Sequence, residues 1–485
     1  MSSITKQILS GAKWTSISTI IITVIQVVQF AILGNVLSKE EFGLVGMITT
    51  VTIFTQILLD MGIGAAIIQK EKVSDDQLST LYWLNIIVGL LLFFMLFFSS
   101  GFISGFYDQP MLEDLIKILS IMFLIAPIGQ QFQYLLQKAL NFNLLSKIEV
   151  ISNVLAFLLL IVLIFLMDEI LAYVLSIVFL NSFKGVYYFY SYAKTWKPKF
   201  VLKVSIIKEF LSFGFYQLLS RLVNRVGSNI DYILIGRFLG AEALGIYSLA
   251  YQIITIPVLK INPIITRVAF PVFSKNQANN AVLTEGFLNV TKALALVSFP
   301  ILIGLISVSD VFVQVVFGER WLDAVPIINI LAIVGLLRVL MNPNGSILLA
   351  KGKANFAFYW DFGIMILYGV SLYIATKFNL EVVAWTYVVT SLINFFVGRW
   401  LLKVVIDMEF KEYFKTILKP LIITLLMGTT IYLLNVKLFV QLIHIPLVNL
   451  VILVGLGMCV YLLILFYSYP DMRMLVRKRL RRQKA

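Results

Sequence analysis

The sequence predicts an all-α integral membrane protein of about fourteen transmembrane helices, grouped as two parallel six-helix lobes and a C-terminal helix pair. Three observations predict it. First, the 485 residues are 60% hydrophobic and 13% charged, whereas a water-soluble chain carries about 25% charge. Second, an eleven-residue motif occurs twice, as LGNVLSKEEFG at 33–43 and as IGRFLGAEALG at 235–245. Third, the basic residues are concentrated in every second loop between apolar blocks.

A helix needs about 20 mostly apolar residues to cross a bilayer. Fourteen segments meet that length, near 12–36, 42–68, 81–106, 114–137, 148–167, 169–193, 207–239, 243–273, 287–317, 324–350, 354–377, 380–405, 415–435 and 447–469. The first follows a short basic start (Lys6, Lys13) and lacks a convincing cleavage site, so it is read as a permanent helix rather than a signal peptide. Cys459 is the only cysteine, which excludes an intrachain disulfide and makes it a packing or lipid-facing thiol.

The repeated motif sets the domain organisation. Gly34 matches Gly236, Leu37 matches Leu239, Glu40 matches Glu242 and Gly43 matches Gly245. Each copy ends one apolar segment and opens the next. Weaker matches follow, YDQPMLEDLIKIL at 107–119 with FGERWLDAVPIINIL at 317–331, and Asn141-Phe142 with Asn355-Phe356. An even number of helices per copy returns each half to the same orientation, so the repeat is parallel. The expected division is an N-lobe at 1–204, ending in the basic linker KTWKPKFVLK, a C-lobe at 205–406, an appended pair at 407–470 and a basic tail at 471–485.

Charge gives the orientation. The N-terminus, the even-numbered loops and the tail hold 28 of the 39 lysines and arginines, the odd-numbered loops 6. Basic loops stay cytoplasmic, so both termini are expected inside. The net charge of +14 is explained by these loops and does not call for nucleic acid, which wants a basic soluble face. The tail, with Arg473, Arg477 and five further bases, reads as an anchor on anionic lipid.

The remaining bases lie at membrane depth, where a charge costs several kcal/mol or more. They are Lys184, Arg221, Arg225, Lys260 and Arg338. On the seventh segment, helical spacing puts Gln217, Arg221, Asn224, Arg225, Ser228 and Asp231 on one face. Lys260 shares a face with Arg267, and Arg338 with Asn342. Together they suit a cationic, water-filled cavity for an anion, since guanidinium groups grip phosphate oxygens in pairs. Two structural alternatives stand beside this: Arg221 pairs with Asp231, and Arg267 snorkels to the surface. Coupling to an ion or proton would need a buried acid, for which Asp60, Asp231, Asp310 and Asp361 are the candidates. Gln26, Gln29 and Gln56 offer polar groups on the first lobe's side.

Enzyme signatures are missing. His444 is the only histidine, which excludes HExxH and argues against a metal centre. Gly352-Lys353 is followed by Ala354 and preceded at the required spacing by Ile347, so there is no P-loop. No cofactor and no catalytic residue is expected.

Three stretches carry a family resemblance. DMGIGAAIIQKEKVSDDQLSTLYWLNI (60–86), VLSKEEFGLVGM (36–47) and VFGERW (316–321) with Pro326 resemble polysaccharide exporters of the teichuronic-acid and colanic-acid kind. These are the Wzx-type lipid-linked oligosaccharide flippases of the multidrug/oligosaccharidyl-lipid/polysaccharide superfamily. The resemblance covers roughly residues 5–410. It implies a MATE-like pair of lobes in a V, in a bacterial cytoplasmic membrane, working by alternating access. The implied substrate is an undecaprenyl-pyrophosphate-linked repeat unit, with membrane lipids and polysaccharide polymerase or export machinery as partners. Arg221, Arg225, Lys260 and Arg338, with Asn224 and Gln217, would meet its pyrophosphate or acidic sugars; Asp231 and Gly236 match the family pattern at the end of the seventh helix. Two other readings remain: a cation-coupled multidrug antiporter of the same fold, whose cavity would want acids, and a membrane-embedded glycosyltransferase or polymerase, which would want a large outer loop bearing catalytic acids.

Overall fold

The computed structural model describes residues 3–436 and 445–469, without the side chains of 3–10, 12, 257, 259–272 and 354. Among the described residues the regular structure is entirely helical. Helices α1 (Ser3–Val36), α2 (Lys39–Asp60), α3 (Ile63–Gln69), α4 (Asp75–Tyr107), α5 (Met111–Ser120), α6 (Met122–Lys138), α7 (Phe142–Ile164), α8 (Glu169–Tyr192) and α9 (Lys208–Phe238) come first. Then follow α10 (Gly240–Lys275), α11 (Asn280–Ser307), α12 (Ser309–Phe317), α13 (Ala324–Met341), α14 (Asn344–Ala350), α15 (Ala354–Ala375), α16 (Leu380–Ile406), α17 (Phe410–Leu434) and α18 (Pro446–Ser468).

Among the described residues eleven stretches are long and apolar enough to cross a membrane, and each matches one of the fourteen segments. The other three segments depart for identifiable reasons. The fourth is not one helix but two, α5 and α6, broken at Ile121. Pro127 lies inside α6, where its ring cannot donate to the Phe123 carbonyl and crowds it. A Cβ on Gly89 would lie 2.6 Å from that same carbonyl oxygen, so only glycine lets α4 pack there. The seventh segment is the continuous helix α9, but its polar stripe dilutes its hydropathy. The eighth is α10, part of whose side chains lie outside the described residues, including those of Lys260, Arg267, Pro257, Pro263 and Pro271.

Packing is that of a membrane protein, with apolar side chains outward and small or polar ones inside. Phe98, Phe102 and Phe165 are 77%, 78% and 83% exposed, while Asn85, Gln131 and Ser152 are fully buried. Water would not tolerate so many bare phenylalanines, but lipid tails do. Local signals set the helix starts: Ser38 with Glu41 and Ser74 with Gln77 form capping boxes at α2 and α4.

The chain forms two compact units, 1–245 and 246–485. In the first, Ile63, Ile67, Leu81, Ile207 and Phe210 form one core where α3, α4 and α9 meet, so α9 belongs to this unit although the repeat assigns it to the second half. Here the two copies of the motif touch. A Cβ on Gly43 would strike the Ala241 carbonyl, and a Cβ on Gly245 would strike the Lys39 carbonyl. The offset between copies pairs Lys39 with Ala241, so the two contacts are reciprocal. Lys39 also reaches Glu242 at 3.9 Å. At the other end of α2, Met61 and Gly62 take left-handed φ of 45° and 68°, turning the chain into α3. Gly214 of α9 fits against that turn, where a Cβ would meet the Met61 carbonyl.

In the second unit, Phe287, Phe299, Phe395, Ile347 and Tyr413 form the main core of α11, α14, α16 and α17. The last two helices are tied in by Val308, Ile431 and Leu453, and by Asn435, which donates to Asp310 at 3.2 Å and accepts from Asn449 at 3.4 Å.

Candidate functional site

In the first unit the turn at Met61–Gly62 presents Asp60 sideways, and Arg221 of α9 forms an ion pair with it. The Tyr134 hydroxyl of α6 donates to the other Asp60 oxygen. Gln130 Nε2 donates to that hydroxyl at 2.7 Å, and Gln130 Oε1 accepts from Asn85 at 3.4 Å. The result is a polar chain from α4 through α6 and α2 to α9. Arg221 therefore pairs with Asp60 and not with Asp231. Asp231 is buried, ten residues along the helix, and its carboxylate accepts from the Tyr232 backbone N–H at 3.0 Å.

Further along the stripe, Asn224, Arg225 and Ser228 are exposed, and Gln217 is half-buried beside Gly62. Arg225 has no ion pair among the described residues. The stripe therefore offers one neutralised guanidinium and one free one, with amides on either side.

In the second unit Arg338 of α13 lies between two tyrosines. Its Nη1 donates to the Tyr251 hydroxyl at 2.6 Å and its Nη2 to that of Tyr387. Its guanidinium carbon lies 5.1 Å and 5.5 Å from the two ring centres. A Cβ at Gly335, one turn earlier, would press on Ile254, so glycine lets α10 close beside the arginine. Among the described residues no acid pairs with it, and neutral phenols do not compensate its charge. Lys260 sits on α10 in a part whose side chains lie outside the described residues. Asp310 is bonded by Asn435, and Asp361 is exposed on α15.

Two charges matter more in the structure than in the sequence. Arg399 counts as a helix-end base by position, yet it is fully buried, 4.3 Å from the Tyr413 ring centre and bonded to Asn344. Lys184 lines a cavity of about 240 Å³ between α2, α6 and α8. Its sequence signal is Asn181, Lys184 and Tyr188 on one helical face.

This framework has known counterparts. The model of the family described as polysaccharide biosynthesis protein matches residues 32–326. The chain belongs to that family. It is 60% identical to the teichuronic acid biosynthesis protein TuaB of Bacillus subtilis (strain 168) over 475 residues, covering 97% of this chain and 98% of that one. It is 30% identical to the lipopolysaccharide biosynthesis protein WzxC of Escherichia coli (strain K12), covering 87% and 86%. Among solved structures, the lipid II flippase MurJ in an inward closed conformation superposes with a TM-score of 0.77 at 15% identity, covering 96% of this chain and 99% of that one. An inward-facing MATE family multidrug transporter of the MOP superfamily gives 0.61 at 14% identity, covering 79% and 95%. This family member is thus an all-α, multi-pass membrane protein of polysaccharide biosynthesis with the MATE-like fold.

Proposed function

We propose that the chain is a flippase that carries an undecaprenyl-pyrophosphate-linked oligosaccharide repeat unit from the cytoplasmic to the outer leaflet of a bacterial cytoplasmic membrane, with both of its own termini inside. The observation that carries this reading is Arg338 of α13, a half-buried guanidinium held by two neutral tyrosines and by no acid among the described residues. Such a group inside an apolar bundle is costly unless it meets an anion. A pyrophosphate supplies one, and arginine matches it bidentately. The names of the relatives, teichuronic acid and lipopolysaccharide biosynthesis, and that of the structural neighbour, a lipid II flippase, support a lipid-linked saccharide.

Arg221, Arg225, Lys260 and Arg338 are the proposed anion contacts along a cationic transport path, with Asn224 and Gln217 supplying hydrogen bonds. Transport proceeds by alternating access, with Asp60, Asp231, Asp310 and Asp361 as the acids available for ion coupling. Membrane lipids hold the tail of the substrate, and polymerase or export machinery receives its head. A multidrug antiporter is disfavoured because its cationic drugs want a cavity lined by acids, whereas the proposed contacts Arg221, Arg225, Lys260 and Arg338 are all basic.

The test is transfer of a fluorescent undecaprenyl-pyrophosphate oligosaccharide across proteoliposomes without ATP, wild type beside Arg225→Ala/Arg338→Ala. Transfer by wild type and its loss in the double variant at equal insertion is expected. Equal transfer by both removes the anion contacts, and no transfer by wild type across several head groups removes the flippase.

A further inference from the structure

The cavity between α2, α6 and α8 is polar in an unusual proportion: one cation and many neutral amides. Lys184 lines a space shared with Gln56, Gln130, Gln133, Asn181 and Tyr188. The lysine has neither an ion pair nor a hydrogen bond among the described residues, and Glu149 acts on it only through its field. The Tyr188 hydroxyl is buried and lacks a partner. Gln56 Nε2 donates to Asn181 Oδ1 at 3.4 Å, and Gln130 accepts from Asn85 and donates to Tyr134. The apolar wall is Leu59, Met122, Phe123 and Ala126.

The frame is rigid. A Cβ on Gly129 of α6 would strike the Gly185 carbonyl of α8, so the two helices are in backbone contact beside the lysine. The amides therefore face a preformed space. Its volume of about 240 Å³ is below the roughly 300–1,000 Å³ of sites for drug-sized ligands, which leaves room for a single ring.

We infer that this cavity is a subsite for one acidic sugar ring of the transported head group, its carboxylate on Lys184 and its hydroxyls on the surrounding amides. This rests on the flippase reading and names a substrate feature that reading leaves open. A bare phosphate would call for arginines or clustered backbone N–H groups; lysine is a point charge. Amides both donate and accept, as sugar hydroxyls do. The apolar wall suits the C–H face of a ring. An uncharged ring would leave the ammonium with the attraction of Glu149 alone and no hydrogen-bonded anion, and a buried charge without a direct partner is costly. Through Gln130 and Tyr134, the occupant of the cavity also touches the polar chain that ends in Asp60 and Arg221.

The experiment measures binding rather than transport, so it stands whether or not flipping is observed. The purified full chain is titrated with methyl β-D-glucuronide and methyl β-D-glucoside by saturation-transfer NMR, beside Lys184→Gln and Lys184→Arg. The glucuronide is expected to bind about tenfold more tightly than the glucoside, the size of one charge-assisted hydrogen bond. Lys184→Gln should erase that preference and Lys184→Arg should keep part of it. Inorganic phosphate at the same concentration should not displace the glucuronide. An unchanged preference in Lys184→Gln, displacement by phosphate, or no binding of either sugar would overturn the inference. Should Lys184→Gln fail to fold, Gln133→Ala serves instead: it should weaken both sugars alike, several-fold, and unaltered binding of both would equally overturn it.

Discussion

Asp60 and Arg221, 161 residues apart, form an ion pair at the point where α2 turns into α3. Tyr134 completes the coordination of the carboxylate from a third helix. The Arg221 side chain is 44% exposed, so screening holds its contribution to stability to about 1 kcal/mol or less. The pair should therefore matter more to transport than to folding. Asp60→Ala and Arg221→Ala are each expected to leave thermal stability nearly unchanged and to slow transfer in proteoliposomes. The exchange Asp60→Arg/Arg221→Asp should recover part of the rate. A double-mutant cycle on transfer rates checks this, and additive effects would show that the two residues act separately.

Arg338 depends on planarity as much as on charge. Forked donation to the hydroxyls of both Tyr251 and Tyr387, with the guanidinium carbon 5.1 and 5.5 Å from the two ring centres, suits a flat guanidinium and not an ammonium. Arg338→Lys is expected to lose about tenfold or more in transfer rate, close to the loss in Arg338→Ala. Tyr251→Phe/Tyr387→Phe keeps both rings while removing both acceptors, and should give an intermediate loss. Full activity in Arg338→Lys would show that a positive charge alone suffices.

Arg399 should behave in the opposite way. It sits among Phe287, Phe395 and Tyr413 with one bond to Asn344, and its Nε and Nη1 have no partner. A buried charge with so little compensation contributes little net stability, and a long apolar chain can fill its place. Arg399→Met is expected to melt at or above wild type, while Arg399→Ala, which leaves a cavity, loses about 2–4 kcal/mol. Thermal unfolding of the three purified proteins decides it; a large loss in Arg399→Met would mean that the guanidinium is doing more than fill space.

The contact between the two motif copies has no spare room. Gly43→Val or Gly245→Val drives a side chain into backbone carbonyls, which cannot rotate away. Overpacking of this kind typically costs about 1–3 kcal/mol, and each variant should show a lowered melting temperature of that size. Gly345→Ala is the control, since a Cβ there meets nothing within 4 Å. Equal stability of all three variants would mean that the helices separate freely at the motif.

The membrane class, the repeat, the capped helix starts and the polar stripe of α9 were legible because each is a local or periodic signal. Ser38 and Glu41 are three residues apart, and Gln217 to Asp231 share one helix. Partners across helices were not. Nothing in the neighbourhood of Arg221 points to Asp60, because the turn at Met61–Gly62 that aims the carboxylate is a tertiary arrangement. Arg399 reads as a helix-end base since its burial comes from aromatic rings on other helices. The break at Ile121 was hidden inside an unbroken apolar run, although Pro127 marks it in retrospect. The Lys184 cavity has its clue on one helix, but two of its three walls come from elsewhere.

The reciprocal glycines carry a consequence for heredity. After a duplication, the two copies of a segment normally drift apart, since each answers to different neighbours. Here the neighbour of each copy is the other copy: Gly43 rests on Ala241 and Gly245 on Lys39. A larger residue in either one collides with main chain, and no substitution in the opposite copy can shrink a carbonyl. Neither glycine is therefore free to change, and these eleven residues stay readable as twins while the helices around them have lost the likeness.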